Sequence, residues 1–200
     1  GQVAQPADLQ SRSIGSYARG CLAGADPLPY DGPSWQVMRL SRNRMWGMPE
    51  LVNFIEKYAS DAQRLDGWPG LLIGDLSQPR GGPMPFGHSS HQIGLDVDIW
   101  FDPMPSYTLS REQREQITAT SYIKKGTNTE LRKDLWTDAH SRMVKRAASY
   151  PEVERIFVNA GVKKELCETA GRDRAWLRKI RPFWGHDYHF HVRIGCQPGS

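Results

Sequence analysis

Gly87-His88-Ser89-Ser90-His91-Gln92-Ile93-Gly94-Leu95-Asp96-Val97-Asp98 is the stretch whose reading decides the fold, together with His186-Asp187-Tyr188-His189-Phe190-His191 near the C-terminal end. Five of the six histidines fall in these two segments, a concentration that points to a metal site. From Leu95 the residues alternate. Leu95, Val97, Ile99 and Phe101 share one face of a predicted strand, and Asp96, Asp98 and Trp100 share the other. The second segment repeats the pattern, with Tyr188, Phe190, Val192 and Ile194 on one side and His189, His191 and Arg193 on the other. If both apolar faces cover one core, Asp98 points away from it and the polar faces converge on one cleft. Imidazoles and a carboxylate suit a borderline cation, and three protein ligands leave a position for water, as a catalytic zinc site requires. His91, Asp98 and His191 are the natural three.

His91-x6-Asp98, followed far downstream by His189-x-His191, resembles the paired motif of the lysostaphin and D-Ala-D-Ala metallopeptidase clan. More narrowly, the segment from Gly87 to Ile99, Arg155-Ile-Phe-Val-Asn-Ala160 and Trp176-Leu-Arg-Lys-Ile-Arg-Pro182 resemble the penicillin-insensitive murein endopeptidases. The likeness runs from about Ile14 to Cys196. It implies one catalytic zinc ion and hydrolysis of the D-alanyl-to-diaminopimelate amide in peptidoglycan cross-links. Such an enzyme would be insensitive to β-lactams, and the chain has no Ser-x-x-Lys motif with its companions for a serine acyl-enzyme. The ion would supply an activated water and polarise the scissile carbonyl.

His189 shares a face with His191, two residues or about 6.6 Å away at strand rise. It is the proposed general base, taking the proton of the water and passing it to the leaving amine. His88 stands three residues before His91. It can be an ordinary loop histidine or reach the same ion, and the resemblance favours ligation or close support of the ion. His186 can hydrogen-bond a substrate oxyanion or brace the turn. Asp96 can orient a ligand histidine from behind or be a solvated carboxylate. His140 lies mid-helix with no sequence neighbour to share a site and is read as surface or hydrogen-bonded. Trp46, Trp100, Trp184 and Tyr188 can line a groove, although aromatic residues belong more often to the core.

Two hundred residues suffice for one domain with a substantial core, and no Pro/Ser-rich linker divides them. The whole chain, 1–200, is therefore read as a single metallopeptidase domain. No apolar run approaches the length needed to span a bilayer, which argues against stable membrane insertion, and no basic-then-apolar leader opens the chain. The resemblance implies an exported, periplasmic protein whose signal peptide is already removed. A net charge of +4 suits a polyanionic partner such as nucleic acid or an anionic wall polymer. The basic residues are scattered without a nucleic-acid motif, so peptidoglycan is the expected partner and nucleic acid is not. Cys21, Cys167 and Cys196 lack metal-ligand spacing and are expected to form disulfides, some to residues of a natural C-terminal tail beyond this chain.

In order along the chain, residues 1–34 read as an irregular arm. Met48 to Leu65 has helical periodicity, and Leu71 to Leu76 reads as a buried strand. Pro79 to Pro85 is a loop bordering the cleft. Ser110-Arg-Glu-Gln113 is a capping box opening a short helix. Residues 121–134 give no clear pattern. Helices follow at about Asp138 to Tyr150 and Val162 to Ala170, the latter stopped by Gly171, with a strand at Arg155 to Asn159 between them and a short helical segment from Asp173 to Lys179. The mixture predicts an α+β domain, a small mainly antiparallel sheet surrounded by helices and long loops. Two other functions fit the same residues: a non-catalytic wall-binding module stabilised by zinc, and a metal-dependent phosphoesterase, although the latter usually wants more carboxylates or a second ion.

Overall fold

A computed structural model describes residues 3–196. Among the described residues, eleven strands and four α-helices follow one another along the chain. Strands β1 (Arg12–Ser16) and β2 (Arg19–Ala23) form a hairpin, followed by β3 (Asp26–Pro27), β4 (Asp31–Gly32), β5 (Trp35–Val37), a 3-10 turn at Leu40–Arg42 and β6 (Trp46–Gly47). Then come α1 (Pro49–Asp66), β7 (Leu71–Ile73), β8 (Asp96–Pro103), α2 (Arg111–Gln116) and α3 (Asp138–Ser149). The chain closes with β9 (Val153–Val158), α4 (Ala160–Thr169), β10 (Ile180–Pro182) and β11 (His189–Ile194). The first 34 residues thus carry paired strands where an irregular arm was expected. Ser13 anchors the hairpin through a buried hydrogen bond from its Oγ to the Ile93 carbonyl, 2.6 Å away, a long-range contact that local periodicity does not encode.

The main sheet runs β10-β9-β11-β8-β7-β5-β4. Four of its six pairings are antiparallel and two, β10/β9 and β5/β7, are parallel. The fold is α+β. Val97, Ile99 and Phe101 of β8 pack with Phe190, Val192 and Ile194 of β11, all of them fully buried. Leu51, Phe54, Ile55 and Tyr58 of α1 and Met143, Val144 and Ala147 of α3 close the same core. Helix α1 starts on Pro49, where a missing N–H is harmless, and stops at Gly67 in the left-handed conformation (φ 69°). Ser110 caps α2 with the expected capping box.

Two expectations need correction. The run from Leu71 stays a strand only to Ile73, because Asp75 turns inward to accept hydrogen bonds from Arg42 and Arg44. The face of β8 opposite the core is not open either: Asp96 and Asp98 are 0 % and 4 % exposed, so polar and apolar faces are both covered.

His140 is buried, as N3 of the capping box that opens α3 and as partner of the Tyr122 hydroxyl (3.1 Å), among Trp68, Tyr122 and Trp136. It is far from isolated, and it takes no part in the histidine cluster. Burial pushes its pKa from the ordinary 6.5 down to about 4. Below pH 6.5 the unfolded chain takes up a proton that the folded chain refuses until about pH 4, so this residue withdraws stability as pH falls through that window and none above it. The melting temperature of wild type should therefore drop a few degrees further than that of His140→Gln between pH 6.5 and 4. Parallel pH curves for the two proteins would show that His140 charges freely in the fold.

Cys21, Cys167 and Cys196 are free thiols, Cys21 and Cys196 exposed; the expected disulfides do not form between described residues. Among the described residues no helix is long and apolar enough to cross a membrane.

Candidate metal centre

Strand β8 is the middle strand of the sheet and β11 its neighbour, with His191 directly opposite Asp98 and His189 opposite Trp100. Backbone pairing thus brings the two sequence segments together on the polar face. The bend before β8 adds His91, and both His91 (φ 65°) and His186 (φ 50°) hold left-handed backbone conformations. Such conformations are uncommon outside glycine and gather at functional sites.

His91 Nδ1 donates to the Leu76 carbonyl at 2.7 Å, which leaves its Nε2 a lone pair in the neutral ring. His191 Nε2 donates to Asp96 Oδ1 at 2.8 Å, so its Nδ1 is turned the other way. Those two nitrogens face each other at 3.2 Å, and each lies 3.3 Å from Asp98 Oδ1. That oxygen is buried and has no hydrogen bond. A buried acceptor left unmet costs about 1–3 kcal/mol, more when charged. Bonds of 2.0–2.1 Å in a tetrahedral zinc site place neighbouring ligand atoms about 3.3–3.4 Å apart. The spacing and the orphaned carboxylate oxygen therefore both fit a cation held by these three atoms.

Asp96, fully buried, also accepts from the His91 backbone N–H (3.1 Å) and from Arg193 Nε (2.8 Å). It orients His191 from behind rather than sitting in solvent. Burial disfavours charge on His191, but Asp96 and Asp98 outweigh it and raise the pKa to about 9. Asp98 is held well below the carboxylate range despite its burial, chiefly by His189 and His91.

His88, His91 and Asp98 also form a group with one ligand atom each within 4.8 Å of one another, which could hold a metal ion. This set is looser than the one with His191. His88 Nε2 lies 3.5 Å from Asp98 Oδ2 and only 3.0 Å from Asp75 Oδ2, so Asp75 holds it at the edge. His189 Nε2 is 3.6 Å from Asp98 Oδ1. Burial lowers the His189 pKa to about 4, leaving a neutral imidazole at neutral pH whose buried Nδ1 has no partner. The His186 ring lies 4.8 Å from that of His189, its Nδ1 donating to the Trp184 carbonyl at 3.0 Å. Burial lowers its pKa.

The structure therefore gathers His88, His91, Asp98, His186, His189 and His191 in one cluster. Trp46 and Trp100 are buried, Trp184 is 87 % exposed and Tyr188 is 38 % exposed. Sequence reading missed Asp75, Arg42 and Arg44. The signal was one carboxylate inside the apolar run Leu71 to Leu76. Cavities of about 250 and 380 Å³ flank the centre and share His88, while the larger ones, about 590 and 710 Å³, touch none of the histidines.

The class that emerges is an α+β domain with a buried histidine and carboxylate group able to hold a metal ion, set between two clefts. A family model described as penicillin-insensitive murein endopeptidase matches residues 13–200, and the chain belongs to that family. Relatives bearing that name come from Haemophilus influenzae (42 % identical over 195 residues, 94 % of this chain), Klebsiella pneumoniae (40 % over 200 residues, 100 % of it) and Yersinia enterocolitica (40 % over 199 residues, 100 % of it). The chain spans 65 %, 72 % and 71 % of their respective lengths.

Proposed function

We propose that the protein is a zinc-dependent murein endopeptidase that hydrolyses the D-alanyl-diaminopimelate amide of peptidoglycan cross-links, exported to the periplasm where that polymer lies. The observation that carries the chemistry is the convergence of His91 Nε2, His191 Nδ1 and Asp98 Oδ1 at 3.2–3.3 Å around an unmet carboxylate oxygen. Family membership supports the substrate. These three residues would hold one zinc ion, with His88 at its edge, and the bound ion would supply an activated water and a polarised carbonyl. His189, neutral and within reach of the same point, accepts the proton of the attacking water at its ring nitrogen and returns it to the departing amine. His186, beside it, spends its Nδ1–H on the Trp184 carbonyl, so it would donate from Nε2 toward the oxygen on which negative charge develops only as the imidazolium. Asp96 keeps the His191 ring in the tautomer that presents Nδ1.

Commitment of His88 to Asp75 leaves a position for water, which favours catalysis over a purely structural ion in a wall-binding module. Digestion of purified sacculi tests reaction, substrate and metal together. Cross-linked muropeptides should be converted to monomers, with o-phenanthroline or EDTA abolishing the conversion, zinc restoring it and penicillin leaving it unchanged. Activity that persists after verified removal of metal would sink the proposal. Phosphodiester cleavage without muropeptide release would instead favour a phosphoesterase.

A further inference from the structure

The cavity of about 250 Å³ beside the centre is walled by the segment Arg39 to Arg42, by Gly74 and Asp75, and by β8, with Asp98, His88 and Tyr188 on its lining. Its free hydrogen-bonding capacity is one-sided. Asp98 faces His91, His189 and His191, and Asp75 accepts from Arg42 (3.0 Å), Arg44 (2.8 Å) and His88 (3.0 Å). Asp75 Oδ2 is therefore committed, and Asp98 Oδ1, without a hydrogen bond, is turned to the three histidines. The Arg42 side chain donates Nη1 to Asp75, makes no further hydrogen bond to a described residue, and is 35 % exposed. The Trp100 indole N–H and the Thr118 and Tyr188 hydroxyls, on the same lining, are also without partners among the described residues. Arg39 stacks on Trp100 at 5.2 Å, its guanidinium fixed by the carbonyls of Arg114, Glu115 and Ile117. With Arg44 behind the lining, the wall holds three guanidiniums, Arg39, Arg42 and Arg44, against the two carboxylates of Asp75 and Asp98, which leaves it positive.

A pocket with spare donors, excess positive charge and an edge on the reacting point suits a small planar anion. We infer that it is the subsite for a carboxylate that the substrate carries next to the bond to be cut, with Arg42 Nε and Nη2 as its principal donors. The inference rests on the endopeptidase reading. The diaminopimelate residue in the cross-link bears a carboxylate on the same carbon as the acylated amine, so an amide placed at the centre brings an anion alongside it. Gly74 keeps the wall open, since a Cβ there would lie 3.3 Å from Trp100 Nε1 and from Asp98 Cβ.

The test compares cross-linked muropeptide dimers bearing that carboxylate free or as its carboxamide, cleaved by wild type, Arg42→Gln and Arg42→Lys, with zinc content and circular dichroism measured on each preparation. Wild type should prefer the free acid by about 10- to 100-fold in kcat/KM, mostly through KM, as expected for a hydrogen-bonded charge pair. Arg42→Gln should lose that preference, its loss on the free acid exceeding its loss on the carboxamide, and Arg42→Lys should recover part of it. Thr118→Val removes one donor from the same wall without touching Asp75 and should reduce the preference by a smaller factor. The released monomer keeps the carboxylate, and by titration calorimetry it should bind Arg42→Gln more weakly than wild type by a similar factor. Equal losses on both substrates would overturn the inference and assign Arg42 to the support of Asp75 and His88; so would a wild type indifferent to amidation. A wild type that cleaves neither dimer would defeat the endopeptidase reading instead, and the monomer titration would then decide the subsite by itself.

Discussion

Replacing Asp98 by alanine is expected to strip the metal from the centre and bring cross-link cleavage down to background, and His191→Ala is expected to do the same. Each residue contributes one of the three atoms that converge at 3.2–3.3 Å. Asp98 Oδ1 is their common neighbour, so its loss leaves two imidazoles with no anion between them. Two ring nitrogens are too few to hold an ion in a reactive geometry. Elemental analysis of the purified variants, alongside muropeptide release, checks both halves. A variant that keeps its full complement of zinc would remove that residue from the ligand set.

His189→Ala should separate chemistry from metal binding. The imidazole is buried, neutral and without a hydrogen bond at Nδ1, and it stands at 3.6 Å from Asp98 Oδ1 where His91 and His191 stand at 3.3 Å. The variant should keep its fold and most of its zinc, yet lose roughly 10²–10⁴-fold in turnover, the usual contribution of a positioned general base. Near-normal turnover would move that role to His186, whose ring is 4.8 Å away. Parallel loss of zinc and activity would show that His189 is itself a ligand.

Much of this centre was legible because a strand's period of two is a hard constraint. Once His189, His191, Asp96 and Asp98 are placed on one face, only the pairing of β8 with β11 is needed to make them meet. Helices α1 and α3 were legible for a similar reason: their apolar stripes have to cover the opposite face. What alternation does not reveal is which loops fold over a polar face: Asp98 was read as pointing away from the core into a cleft, and it is only 4 % exposed. Asp75 was hidden in an apolar run because its partners Arg42 and Arg44 lie 33 and 31 residues earlier, beyond any local pattern. The hairpin of β1 and β2 escaped notice for the same reason, since the Ile93 carbonyl that anchors Ser13 is 80 residues away. His140 was placed outside the site, but its burial depends on Trp68 and Tyr122, neither of which its own helix supplies.

The ligands of the proposed ion come from opposite ends of the folding problem. His91 and His191 are separated by 100 residues, and Asp98 meets His191 only when the middle strand finds its neighbour. The His91 and Asp98 segment, even with His88, lacks His191, so an unfolded chain cannot assemble this set. Zinc would have to be acquired in whichever compartment the chain finally folds, from whatever supply that compartment offers.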